Sequence, residues 1–104
     1  MSLALCLKCG NIKIGAFNEC DKCGSPSTGN EDLDIQFSDW KLSVENIDFF
    51  SNIIQNISNM CSNKKIVFWT FLAYISKEHN EILEVEVPEE YQKDVESLLL
   101  NIQN

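Results

Sequence analysis

Arginine is absent from this 104-residue chain, and histidine occurs only once. Every basic charge is therefore a lysine, and eight lysines stand against sixteen acids for a formal net charge of -8. The imbalance is uneven: residues 1–30 carry three lysines and two acids, whereas residues 31–104 carry five lysines and fourteen acids. A phosphate backbone is repelled by most of such a surface, which argues against strong nucleic-acid binding. With one histidine no Ser-His-Asp or Cys-His set assembles, and the four glycines form no phosphate-cradling loop. No apolar run reaches the roughly 18 residues of a membrane span, and no signal-peptide pattern opens the chain. The expectation is a soluble, cytoplasmic, non-enzymatic protein.

What the chain does have is cysteine. Four of its five cysteines fall in CLKCGNIKIGAFNECDKCG, residues 6–24, as two Cys-x-x-Cys-Gly units. In a reducing compartment such pairs bind metal more readily than they form disulfides. A tetrahedral ion with metal–sulfur distances of about 2.3 Å needs thiolates a little under about 4 Å apart, and a tight Cys-x-x-Cys turn delivers that separation. Cys6, Cys9, Cys20 and Cys23 are the expected metal ligands. Gly10 and Gly24 close the two units, where a residue without Cβ lets the chain turn sharply. Between the units Ile12, Ile14 and Ala16 alternate with Lys13 and Gly15, the pattern of a short strand with Ile12 and Ile14 on one face. Phe17 is expected to close this small lobe.

These residues resemble the zinc ribbon or rubredoxin-type zinc knuckle class, in which CxxCG occurs twice around a β-hairpin. The resemblance covers about a fifth of the chain and implies one tetrahedral metal on the four cysteines. It implies no single activity, because ribbons serve many kinds of protein. Zinc is the expected ion, and iron is the alternative because the same four sulfurs accept it.

The rest of the chain reads as helical. Ser25–Asn30 is a linker broken by Pro26 and Gly29, and Asn30 caps a short helix with Leu33, Phe37 and Trp40 on one face. Ser43 caps an amphipathic helix to about Met60, with Leu42 and Ile47 as a hydrophobic staple. Residues 64–77 are open between a buried strand and a helix. The termini favour helix, with Asn63 as cap and Lys77, His79 and Asn80 at the other end, although two lysines in the first turn oppose it. Leu83, Val85 and Val87 alternate with Glu84 and Glu86, predicting a strand over 82–87. Pro88 opens a closing helix to Ile102, with Tyr91, Val95, Leu98, Leu99 and Ile102 as its apolar face.

The expected architecture is α+β: a zinc ribbon over residues 1–29 packed on a mostly helical region, 30–104, with one short strand. Cys61 reads as an inert thiol, His79 as a surface or capping side chain, and the carboxylates Asp32, Asp34, Asp39, Glu84, Glu86, Glu89 and Glu90 as a solvated face. Trp40, Phe49, Phe50, Trp69, Phe71 and Tyr74 are mostly core, with some left exposed as a protein-binding or dimer surface. These features point to a protein-interaction or regulatory adaptor module with a structural four-cysteine metal site. Its partner is another protein or a second copy in a homodimer. The alternatives are a redox protein using iron or the thiols, with Lys8 and Lys22 favouring thiolate, and a weak nucleic-acid-binding ribbon relying on Lys8, Lys13 and Lys22.

Overall fold

A computed structural model describes residues 3–102. An N-terminal hairpin is followed by four helices, an α+β arrangement. Strand β1, Leu3–Leu5, pairs antiparallel with β2, Ile12–Ile14, in the register Leu3↔Ile14, Ala4↔Lys13 and Leu5↔Ile12. The first cysteine unit is thus the turn of the hairpin itself. Ile12 and Ile14 do share a face, but only the Leu5–Ile12 end of it is covered, and Ile14 is exposed. On the opposite face Lys13 is only 6% accessible, and its Nζ donates to the Asn18 carbonyl at 2.6 Å. A buried lysine stem with a hydrogen-bonded head takes the place of an apolar residue there.

Helix α1, Glu31–Gln36, is capped by the Asn30 side chain, which accepts from Leu33 N–H. Beyond it residues 37–39 lie along the free edge of β1: Leu5 N–H donates to Phe37 O and Asp39 N–H to Leu3 O, both at 2.9 Å. That pairing turns Phe37 into the core and leaves Trp40 outside, 63% accessible, contrary to the shared face expected from spacing. The helix ends before Trp40, so helical spacing no longer governs where that ring points.

Helix α2, Val44–Met60, begins at Ser43, whose Oγ accepts from Asn46 N–H, and Leu42 and Ile47 are both buried in the core as a staple requires. Helix α3, Lys64–Glu78, settles the open segment as helix. Asn63 Oδ1 accepts from the N–H groups of both Lys65 and Ile66. The unfavourable lysine at its start has a structural use, since Lys64 Nζ donates to the Cys23 carbonyl at 3.2 Å. Helix α4, Glu89–Leu99, starts after Pro88 and buries Val95.

The expected strand at 82–87 does not form. Its residues keep the alternating exposure of a strand, with Glu84 and Glu86 outward. However, Leu83 and Val85 pack on the helical core, and Val85 N–H donates to Ser76 Oγ of α3 rather than to a neighbouring strand. Alternation reports a one-sided burial, and a helix can supply the covering surface as well as a sheet can.

The core lies between α2, α3 and the hairpin. Phe37, Phe50 and Phe71 meet edge to face with ring centroids 5.4–6.3 Å apart, around which Ile47, Ile54, Ile57, Leu72 and Ile75 pack. Leu5 and Leu7 of the cysteine lobe belong to the same buried cluster. The lobe is therefore seated on the helices by shared apolar burial.

Candidate metal centre

The two cysteine units fold alike. Cys6 N–H donates to Asn11 O and Cys20 N–H to Ser25 O, each at 2.9 Å, while Gly10 N–H and Gly24 N–H return to Cys6 O and Cys20 O at 2.9 and 2.8 Å. Gly10 and Gly24 have φ of 85° and 75°, the left-handed turn that a side chain resists. Two turns of the same shape face each other across the hairpin end.

This places the four expected ligands together. The Sγ atoms of Cys6, Cys9, Cys20 and Cys23 all lie within 4.8 Å of one another. Cys6 and Cys23 are 3.7 Å apart at sulfur, and Cys9 and Cys20 are 3.6 Å apart. The edge of a sulfur tetrahedron around an ion at about 2.3 Å is about 3.8 Å, so the donor set fits one tetrahedral metal. Cys6 and Cys20 are buried, and Cys9 and Cys23 are half-buried.

The surroundings treat the sulfurs as acceptors. Cys20 Sγ receives the N–H groups of Lys22 and Cys23 at 3.4 Å and the Asn11 side-chain amide at 3.6 Å. The same Asn11 amide donates to Asp21 Oδ1 at 2.8 Å, which fixes its orientation. Ser25 Oγ sits 3.2 Å from Cys23 Sγ. Burial pushes the Cys6 and Cys9 thiols above their ordinary range. At Cys20 burial acts the same way but is outweighed by the Cys23 and Lys22 N–H groups and the Asn11 amide, so its pKa is lowered. At Cys23 burial is likewise outweighed, chiefly by Ser25 through its hydroxyl and backbone, and the pKa falls to about 6. Donors aimed at sulfur favour thiolate, the form that ligates metal.

Residue types and spacing do not single out Asn11, Ser25, Ser51 and Lys64 as part of this centre. The first two carry a signal, because Asn11 and Ser25 occupy the same place after the glycine of each Cys-x-x-Cys-Gly unit. Ser51 and Lys64 reach the lobe from the helices, across 41 positions of sequence in each case, and no local pattern announces them. Cys61 lies outside the cluster, with its thiol directed at Asn63 O. His79 caps α3 and packs among Phe49, Phe50 and Tyr74. Phe17 is 50% accessible and does not close the lobe, where Leu7 and Ala16 are buried instead.

No family model, curated protein or solved structure matches the chain. Among the described residues no helix is long and apolar enough to cross a membrane. The four-cysteine cluster is capable of holding a metal ion and is the chain's candidate structural metal site.

Proposed function

We propose that this protein is a non-enzymatic, zinc-stapled interaction or regulatory adaptor module. Its ion is held by Cys6, Cys9, Cys20 and Cys23, and the helical region meets a partner protein. The observation that carries the reading is the closure of the metal site: four sulfurs converge within 4.8 Å, and a tetrahedral ion among them retains no open position for substrate or water. The ion's contribution is then to hold two turns that lack a core of their own. Zinc is preferred to iron because a structural staple needs no redox chemistry, and four-thiolate tetrahedra are a common zinc environment. The acidic surface of residues 31–104 favours a basic partner.

Elemental analysis of protein purified without added metal tests the first half, with near one zinc per chain expected and a colourless solution. A visible charge-transfer band with stoichiometric iron would replace zinc by the electron-transfer alternative. Protein that holds neither metal and melts identically with and without chelator sinks the staple.

A further inference from the structure

Away from the cysteines, an open groove of about 600 Å³ lies between α1, α3 and the segment after α3. Its apolar wall is made by Leu33, Phe68, Trp69, Leu72, Leu83 and Val85. Asp32 and Glu86 stand at its rim, and no lysine is among the described residues that line it. The groove therefore joins apolar surface to charge of one sign.

One wall of the groove is the stretch where a strand is expected and none forms. Residues 83–87 keep strand-like alternation, and Val85 N–H is used inward on Ser76 Oγ. The neighbouring N–H groups of Glu84 and Glu86 are not the ones used on Ser76. Among the described residues no hydrogen bond engages either of them. Both glutamates are exposed. An unpaired edge beside an apolar groove is the arrangement that accepts an added strand, with backbone bonds giving affinity and the pocket giving specificity.

Charge decides between occupants. A second copy of this chain pairing edge to edge would set Glu84 and Glu86 against the same carboxylates, and like charges placed opposite one another are destabilising. A basic segment meets the reverse situation, and the net charge of -8 steers it inward. We propose that the groove and the 83–87 edge dock an extended, lysine- or arginine-bearing peptide of a partner protein. The peptide adds along Glu84–Glu86, seats an apolar side chain against Phe68 and Trp69, and sets its cations against Asp32, Glu84 and Glu86. This rests on the reading of the chain as an interaction module and names the chemistry of its partner.

Trp69 makes the test direct. In a Trp40→Phe background, where Trp69 is the remaining tryptophan, its emission is followed while a blocked peptide of alternating lysine and valine is added at low salt. The expected result is a saturable blue shift that weakens about tenfold in the E84Q/E86Q double variant and also weakens as salt screens the pairs. The matching peptide of alternating glutamate and valine should leave the emission unchanged. An unchanged emission with the basic peptide, equal response to the acidic peptide, or a shift indifferent to E84Q/E86Q overturns the proposal. A dimer in sedimentation that protects the Glu84 and Glu86 amides from hydrogen exchange overturns it as well, in favour of self-association. A purified partner that binds wild-type and E84Q/E86Q chains equally overturns the groove while leaving the interaction-module reading intact.

Discussion

The Ser51 hydroxyl donates to the carbonyl oxygen of Gly10, and this one buried bond fastens the first cysteine turn to the middle of α2. Gln55 Nε2 in turn donates to Ser51 Oγ at 2.9 Å, so the hydroxyl is held from both sides. Replacing Ser51 by Ala leaves the Gly10 carbonyl without its partner, at an expected cost of about 1–3 kcal/mol. Chemical denaturation of the metal-loaded protein measures it, and an unchanged midpoint would mean that the bond contributes nothing net.

The same contact makes the two glycines unequal. Both have positive φ, so alanine at either is strained by about 1–2 kcal/mol. A Cβ on Gly10 would also come within 2.8 Å of Ser51 O and of Gln55 Cγ, whereas one on Gly24 meets nothing within 4 Å. Gly10→Ala should therefore exceed Gly24→Ala by about 1–3 kcal/mol, because α2 backbone must shift. Comparison of the two melting curves checks the order, and equal losses would refute close docking of the turn on α2.

Much of this was legible in the sequence because it was local. Asn30, Ser43 and Asn63 cap the helices they were expected to cap, since each need only reach N–H groups two or three residues ahead. The cysteine cluster was legible because a repeated unit at fixed spacing encodes its own turn. The failures depend on what packs alongside: Trp40 leaves its expected face where the 37–39 segment lies along β1, and Phe17 stays exposed while Leu7 and Ala16 fill the lobe. The 82–87 pattern marks one-sided burial without making a strand, because period two does not say whether a sheet or a helix covers the buried side.

Reactivity should divide the four clustered cysteines in metal-free protein. Burial holds the Cys6 and Cys9 thiols protonated, whereas Ser25 draws the Cys23 pKa down to about 6 despite the burial that opposes it. A lowered pKa enlarges the thiolate fraction at neutral pH, so Cys23 should be alkylated ahead of Cys9, with its rate falling as pH drops through about 6. Ser25→Ala should slow Cys23 and leave Cys9 unaffected. Mass-spectrometric time courses at several pH values read this out, and uniform labelling of all four would show that the turns do not persist without metal.

Thr70 lies in α3 with no accessible surface, and its hydroxyl finds no hydrogen-bond partner among the described residues. A buried hydroxyl left unpaired is unfavourable relative to an apolar group of the same shape. Thr70→Val should raise stability by about 1 kcal/mol, in contrast to the usual loss at a core position. A destabilised valine variant would indicate that an ordered water or a carbonyl engages the hydroxyl in solution.

Metal removal is the severest test of how the lobe is held. A structural zinc site supplies on the order of 10 kcal/mol in peptide models, comparable with the entire stability of a small domain. Leu5 and Leu7 anchor the lobe to a core otherwise built largely by Phe37, α2 and α3. Chelation should therefore release the cysteine turns first, lowering the melting temperature while most of the helical circular dichroism remains at room temperature. Cys20→Ser should act like chelation, because it removes the buried sulfur that receives three donors. Cys61→Ser should leave metal stoichiometry and melting unchanged, since that thiol lies outside the cluster. Loss of all helical signal on chelation would mean that the ion organises the whole chain, and no change in either observable would remove the metal from the account of its stability.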